Sequence, residues 1–495
     1  MTVTVREMLI SHDMSETRVA LLEDGKLVEL YIERPKRSVV GNVYLGRVKD
    51  VLPGMQAAFV DIGLEKNAFL YVDEVVAPEG FEDVPRRDIQ QLLKPGQQVM
   101  VQVLKDSMGT KGSRITTEIS LPGRFLVLMP FSEFVGVSRK LPEEERDRLY
   151  EIVAPLVPQG LGVIVRTAAQ GSSARDVASD MEFLLRLWKR VRHQAKEGLA
   201  PEVVYTEMDL ALRLVRDVFN EDFRRLIIDD KQVFEKVVSF LKKTSGELVR
   251  RVMLHKERVP LFDFFDLQPT IDSALSRSVE LHSGGHVNVD RTEALTAIDV
   301  NTGKFVGKHN LEETILRTNL EAADEAVRQL RLRDIGGIIV IDFIDMEESR
   351  HRTEVFARLN RALEADRTKT RVTEISRLGL VEMTRKNVTE GLYGILTEQC
   401  PCCHGEGRVL SDVTKRIMVV RRMREILEGG RSPAYLFGLH PETYALVRAP
   451  GQNAIATLRA ETGKQVEIVT DPDTEPTGVS ILIEGKAGLL KRALE

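Results

Sequence analysis

Sulfur is nearly absent from this chain of 495 residues, and its three cysteines, Cys400, Cys402 and Cys403, all fall in the stretch EQCPCCHGEGRV at 398–409. No distant thiol exists to bridge them, and thiols this close do not pair easily with one another, so no disulfide framework is expected within the chain. Also missing is any apolar run near the roughly 18 residues that a membrane helix needs. The N-terminus, MTVTVREMLISHDMS, lacks the basic start, apolar stretch and small-residue cleavage site of a secretory signal, so a cytoplasmic address with no membrane span is expected. Charge of one sign is lacking too. With 70 basic and 75 acidic residues the net charge is −5, and any grip on nucleic acid must come from local basic surfaces. What remains, 43% apolar and 29% charged, is the composition of a soluble globular protein. At about 150 residues per domain, this length predicts three or four domains.

Metal binding is the stronger reading of the thiols. Cys400 and Cys403 stand at i and i+3 around Pro401, followed by Gly405 and Gly407, the pattern of a zinc knuckle whose tight turn aims two thiolates at one ion. Structural zinc takes four ligands, and the chain has no second cysteine pair. Cys402 and His404 are poorly placed to complete the set, because consecutive residues rarely converge on one tetrahedral centre. Two chains sharing one zinc ion is the economical solution, which makes the cluster a homodimer clasp. The plainer alternative is a reactive or merely tolerated thiol cluster in a loop.

Upstream, HVNVDRTEALTAIDVNTG reads as extended structure ending near Asp299. A long amphipathic helix follows, NLEETILRTNLEAADEAVRQLRLRDIGG, with Asn310 and Glu313 as a capping pair. Next comes GIIVIDFIDM, a continuous apolar run of the kind buried in a parallel sheet, with Asp342 at its end, and then a second helix, MEESRHRTEVFARLNRALEADR. Strand, helix, strand implies a right-handed crossover that brings both carboxyl ends to one rim, where Asp299 and Asp342 would share a crevice. Two carboxylates there repel unless a cation lies between them, and a hard ion such as Mg2+ suits oxygen ligands, retained waters and phosphate oxygens. Asn301, two residues past Asp299 and on the same side of an extended chain, is placed to orient water or phosphate. Asp345, three residues before Glu348, reads as the N-cap of the following helix. In isolation, Asp299 and Asp342 are equally readable as ordinary strand-end caps.

Between residues 41 and 120, short alternating strands broken by glycine turns predict a small five-stranded barrel. Aromatic residues make up only 5% of the chain, yet Tyr44, Phe59, Phe69 and Tyr71 fall in these strands, with Lys49, Lys66, Lys105, Lys111 and Arg114 nearby. Exposed rings stack on unpaired bases while cations hold the backbone, so Phe59, Phe69, Lys105 and Lys111 are candidate contacts for single-stranded RNA. Tyr44 reads as core. For Phe59 and Phe69 the core reading is equally weighted.

The segments NVYLGRVKDVLPGMQAAFVDIG, GTKGSRITT, VIVRTA, AIDVNTG, GGIIVIDFIDM, LGLVEMTRK and CPCCHGEG, in that order, resemble the ribonuclease E and G family. The resemblance runs through most of the chain. The length, without a long tail rich in proline and charge, resembles the ribonuclease G branch more than full-length ribonuclease E. Cys402 departs from the pattern by filling the variable position of the family's Cys-Pro-x-Cys link.

The resemblance implies a multidomain α/β and α+β organisation. Residues 1–34 and 211–274 would form an interrupted ribonuclease-H-like subdomain. An OB-fold barrel at 36–118 and a 5′-end sensor at 119–210 would be inserted in it. A deoxyribonuclease-I-like catalytic domain at 275–396, a zinc link at 397–409 and a small oligomerisation domain at 410–495 would follow. In the sensor, Arg166 and Thr167 would take a terminal monophosphate, with Gly123 and Val127 lining the pocket. The basic stretch RTKTRVTEISRLGLVEMTRK would ordinarily be a solvated face; here Arg371, Arg377, Arg385 and Lys386 are expected to guide the RNA backbone. The implied activity is Mg2+-dependent endonucleolytic hydrolysis of single-stranded RNA, in rRNA and tRNA processing and mRNA decay. The implied assembly is a zinc-linked dimer, with tetramers left open. A reading from another class, a zinc-linked RNA-binding assembly protein without catalysis, is disfavoured by the two strand-end aspartates.

Overall fold

The structure is a computed structural model that describes residues 4–34, 38–76, 88–107, 111–302, 311–376, 378–386, 391–449 and 454–494. The chain divides into two compact units, Met1–Leu396 and Thr397–Glu495.

In the first unit, the N-terminal strands Arg6–His12, Thr17–Glu23 and Lys26–Glu33 form an antiparallel meander. Its second turn is made by Asp24 and Gly25, both at positive φ, as a two-residue hairpin requires. The sheet is completed from far along the chain, because Phe223–Ile228 pairs parallel with Arg6–His12 and Val252–Leu254 pairs parallel with Phe223–Ile228. Helices cover both faces. Leu210–Asp217 and Lys231–Thr244 pack on Met8, Ile10, Val19 and Leu21, while Leu261, Phe262, Ile271 and Leu332 pack on Leu9, Ala20 and Leu22. Double coverage explains why three successive residues of the first strand, Met8, Leu9 and Ile10, are apolar and buried.

Strands Val43–Leu52, Ala57–Asp61, Ala68–Tyr71, Arg114–Thr116 and Gln98–Lys105 form the expected barrel, closed by pairing of the first strand with the last. This order is that of an OB-like barrel. Tyr44 lies in its core with Val48, Val60, Leu70, Val101 and Ile115. Glu202–Tyr205 adds a sixth strand beside Val43–Leu52. A four-stranded sheet built from Leu121–Pro122, Leu126–Met129, Val135–Val137 and Gly162–Val165 packs with the long helix Ala174–Glu197, burying the single Trp188.

Six strands make the sheet that carries Asp299 and Asp342: Ser278–Glu280, His286–Arg291, Leu295–Asn301, Gly337–Asp342, Leu380–Arg385 and Thr370–Val372, neighbours in that order. Only Leu295–Asn301 and Gly337–Asp342 run parallel, joined through the helix Leu311–Leu332 as the crossover reading expects. The GIIVIDFIDM expectation needs correction. Burial alternates along Gly337–Asp342, with Ile339 and Ile341 fully buried and Ile338 52% exposed, because helices Leu311–Leu332 and Ser349–Leu363 pack on the same sheet residues. An apolar run thus serves a sheet whose other face is open. Asp345 is also not a cap, because the second helix begins at Ser349 with Glu348 at its N-cap position and no side-chain cap bond. Asn310 lies outside the described residues.

The second unit centres on the parallel pair Ala434–Leu439 and Gln465–Thr470, with Ser480–Gly485 antiparallel on the other side. Helices Asp412–Gly429, Pro441–Val447 and Ala454–Thr462 cover one face. Among the described residues no helix is long and apolar enough to cross a membrane.

Candidate functional site

Asp299 and Asp342 are register partners on adjacent parallel strands. Period-two alternation turns both away from the buried residues Ile298, Val300 and Ile341 and onto the open face. Asp299 accepts a 2.6 Å hydrogen bond from Asn301 Nδ2 and a longer one, 3.4 Å, from Asn288 Nδ2 on the neighbouring antiparallel strand. Both donors are neutral amides, so its charge is oriented without being cancelled. The Asp342 carboxylate makes no hydrogen bond or ion pair among the described residues. Burial, then the charges of Asp299 and Asp345, push its carboxyl above the usual range. Two carboxylates side by side on an open face fit a cation, and an all-oxygen donor set fits a hard one that keeps several waters. Among the described residues no group of three or more His, Cys, Asp or Glu side chains is arranged to hold a metal, so water or substrate oxygens would have to fill the remaining positions. Asn288 was missed in the sequence, and Asp345, read there as a helix cap, instead adds its charge beside Asp342. Asn288 was detectable only through the register that sets it opposite Asp299.

The expected phosphate pocket lies on the four-stranded sheet. Arg166, just past Gly162–Val165, donates from Nη1 to the Gly123 carbonyl and to Asp217 Oδ1, both at 2.7 Å. Its bonds among the described residues use Nη1 alone, which leaves the Nε and Nη2 edge for a planar fork onto a phosphate. Thr167, next in the chain after Arg166, has its Oγ1 2.9 Å from Ser138 Oγ, so two hydroxyls stand together. Val127 sits between Pro122 and Ile164 in the sheet.

Asp180, on the buried face of Ala174–Glu197, accepts the backbone N–H groups of Arg124, Phe125 and Leu126 at 3.1, 2.9 and 3.0 Å. Burial raises its pKa although the three amides oppose the rise. A Cβ on Gly123 would stand 2.5 Å from Asp180 Oδ2, so this approach requires glycine. Burial raises the pKa of Asp217, but the side-chain bonds and charges of Arg216 and Arg166 outweigh it and hold the carboxyl below the usual range. Asp180 was legible in principle, as an aspartate interrupting an apolar stripe of Val177, Met181, Leu184 and Trp188.

On the barrel, Phe59 and Phe69 are cross-strand partners, half-buried and outside the core cluster, their ring centroids 5.5 Å apart. Lys105 and Lys111 are exposed, and Lys105 is the register partner of Arg114, which in turn pairs with Phe69. Gly112, next to Lys111, passes so close to the neighbouring strand that a Cβ would lie 2.0 Å from the Asn67 carbonyl oxygen. The basic stretch contributes less than expected. Arg385 is buried and bonded to Asp366 Oδ2 and Asp334 Oδ1, each at 2.8 Å, because it ends a strand facing the inside of the unit. It therefore cannot guide a ligand. Arg371 and Lys386 are exposed, and Arg377 lies outside the described residues.

In the second unit, Cys400 to Gly407 form consecutive turns. His404 N donates to the Cys400 carbonyl and Glu406 N to that of Cys403, both at 2.8 Å, and His404, Gly405 and Gly407 adopt positive φ. The Cys403 and Cys402 amides lower the Cys400 thiol pKa, which favours the thiolate that a soft metal requires. Cys400 and Cys402 are exposed, and Cys403 is half-buried.

Residues 120–388 match the model of the Ribonuclease E/G family. Ribonuclease G of Escherichia coli K12 is 42% identical over 474 residues, covering 94% of this chain and 97% of that protein. Ribonuclease G of Haemophilus influenzae is 41% identical, with 94% and 96% covered. Ribonuclease E of the same organism is 39% identical over 85% of this chain and 46% of its own length.

Proposed function

The chain belongs to the ribonuclease E/G family, and from that premise we propose a Mg2+-dependent endoribonuclease that cuts single-stranded RNA and favours a 5′-monophosphorylated end. Its relatives are named as ribonucleases over nearly their whole length, and endonucleolytic RNA processing in the cytoplasm is the reading for this chain. The observation that carries the catalytic part is the in-register pair Asp299 and Asp342 on an open sheet face, with no cationic side chain among the described residues bonded to either. Magnesium held by these two carboxylates would supply Lewis acidity toward the phosphodiester and a readily ionised water. Asn301 fixes the Asp299 carboxylate through one oxygen and leaves the other for the cation. The products on this reading are a 3′-hydroxyl and a 5′-phosphate.

Phe59 and Phe69 stack bases, while Lys105 and Lys111 hold backbone phosphates. Arg166, positioned by Gly123 and Asp217, and Thr167, positioned by Ser138, take the 5′-monophosphate, with Gly123 and Val127 lining the pocket. Residues 1–34 with 211–274 are read as the ribonuclease-H-like subdomain, 119–210 as the sensor, and 275–396 as the deoxyribonuclease-I-like catalytic domain. Cys400 and Cys403 of two chains would share one Zn2+ through residues 397–409, with residues 410–495 as further oligomer contact. Cleavage of a labelled single-stranded oligoribonucleotide, compared with and without Mg2+, tests the central claim. Equal rates after exhaustive chelation would overturn it.

A further inference from the structure

We propose that Tyr71 and Arg114 form a further base-stacking position on the barrel, continuing the Phe59 and Phe69 pair for one more nucleotide of single-stranded RNA; the inference rests on the RNA-binding reading above. Tyr71 ends the strand Ala68–Tyr71, two residues beyond Phe69, so both side chains leave the same face. Their ring centroids lie 4.5 Å apart at an interplanar angle of 72°. Arg114 is the register partner of Phe69 on the next strand, and its guanidinium carbon stands 5.1 Å from the Tyr71 centroid. Phe59, Phe69, Tyr71 and Arg114 thus form one continuous row across three strands.

The row is held in place before any ligand arrives. Arg114 Nη2 donates to Glu74 Oε1 at 2.5 Å. Glu74 is itself anchored, because its carbonyl accepts Thr117 N at 2.9 Å, Thr116 Oγ1 at 3.0 Å and Thr117 Oγ1 at 3.3 Å. A planar guanidinium fixed in this way offers a flat face at little further entropic cost. Tyr71 is nevertheless 41% exposed, and the Arg114 side chain 44%. Exposed Lys105, the register partner of Arg114, and exposed Lys111, three residues before Arg114 in the chain, supply charge for a phosphate backbone. Rings, a guanidinium plane and ammonium groups on one surface match a stacked, unpaired nucleic-acid strand, because every base presents a π-face.

The test is binding of 3′-fluorescent oligoribonucleotides, lengthened one nucleotide at a time, to the full chain in excess chelator, read by anisotropy. With the parent chain, affinity is expected to step up at the length that reaches the new position. Tyr71→Ala should abolish that step, a loss of roughly 5- to 100-fold, and Tyr71→Phe should restore it. Arg114→Lys, which keeps the charge but not the plane, should also lose it. If Tyr71→Ala binds every length like the parent while Phe59→Ala and Phe69→Ala bind weakly, the new position is overturned and the barrel reading stands. If none of these variants weakens binding, the barrel reading falls as well. Full affinity in Arg114→Lys would reduce Arg114 to a point charge and overturn its stacking role. Tyr71 lies outside the core, so thermal melts of its variants should match the parent.

Discussion

The surroundings of Arg166 and the rim at Asp299 and Asp342 both concentrate aspartates, and they treat that charge in opposite ways. Near Arg166, three backbone amides satisfy Asp180, and Arg166 and Arg216 neutralise Asp217. At the rim, Asp299 receives only neutral amides, and the Asp342 carboxylate has no bonded partner among the described residues. The electrostatics follow the bonding, with the Asp217 carboxyl pulled below its ordinary range and the Asp342 carboxyl pushed above it. Carboxylates satisfied from within position other groups, whereas carboxylates left against each other are poised for a cation from outside.

The comparison predicts a hierarchy of effects. Asp299→Asn or Asp342→Asn should lower kcat by roughly a thousandfold or more, the scale of losing several kcal/mol of transition-state stabilisation, while RNA affinity persists. Near-parent turnover of either variant at saturating Mg2+ would break the contrast. The thiols extend the same logic to a softer ion. Cys400→Ser or Cys403→Ser should lose the half-equivalent of zinc per chain and weaken the dimer, and Cys402→Ser should keep both, as metal analysis and light scattering would show. Arg166→Ala should cost roughly 10- to 100-fold in preference for 5′-monophosphate over 5′-hydroxyl RNA, the range of one charged hydrogen-bonded contact, with basal cleavage retained.

The smallest effect concerns stability. The folded-state pKa of Asp217 is depressed, so its contribution is complete above the ordinary carboxylate range and is lost as pH falls through its lowered value. Melting temperature followed from pH 7 downward should therefore fall less steeply for Asp217→Asn than for the parent. Parallel curves would show that the ion pairs with Arg166 and Arg216 contribute nothing net.

Patterns that repeat along the chain were readable in the sequence. Alternation and glycine turns foretold the barrel, the strand-helix-strand order brought Asp299 beside Asp342, and the rings Phe59 and Phe69 were recognised before their surface placement. What the sequence hid depends on partners distant along the chain. Arg385 reads as one more solvated cation until Asp366 and Asp334 are seen to enclose it, and Asn288 gains meaning only from the register of its hairpin. The apolar run at Gly337–Asp342 misled because composition reports how much of a strand is greasy, not which face is covered.

The sheet shared by residues 6–33 and 223–254 has a consequence for how the chain comes into being. His12 N bonds Asp229 across 217 residues, so the strands at 6–33 wait for the partner strand Phe223–Ile228, which the ribosome makes much later. At about 5–20 residues per second, that wait is on the order of ten to forty seconds. Throughout it, the Met8, Leu9 and Ile10 edge stands open to aggregation, while the barrel between the halves has all its strands and can close. Nascent chains of this protein should therefore depend on chaperones until Leu332, which packs on the Leu9 face of this sheet, clears the exit tunnel, and become independent soon afterwards.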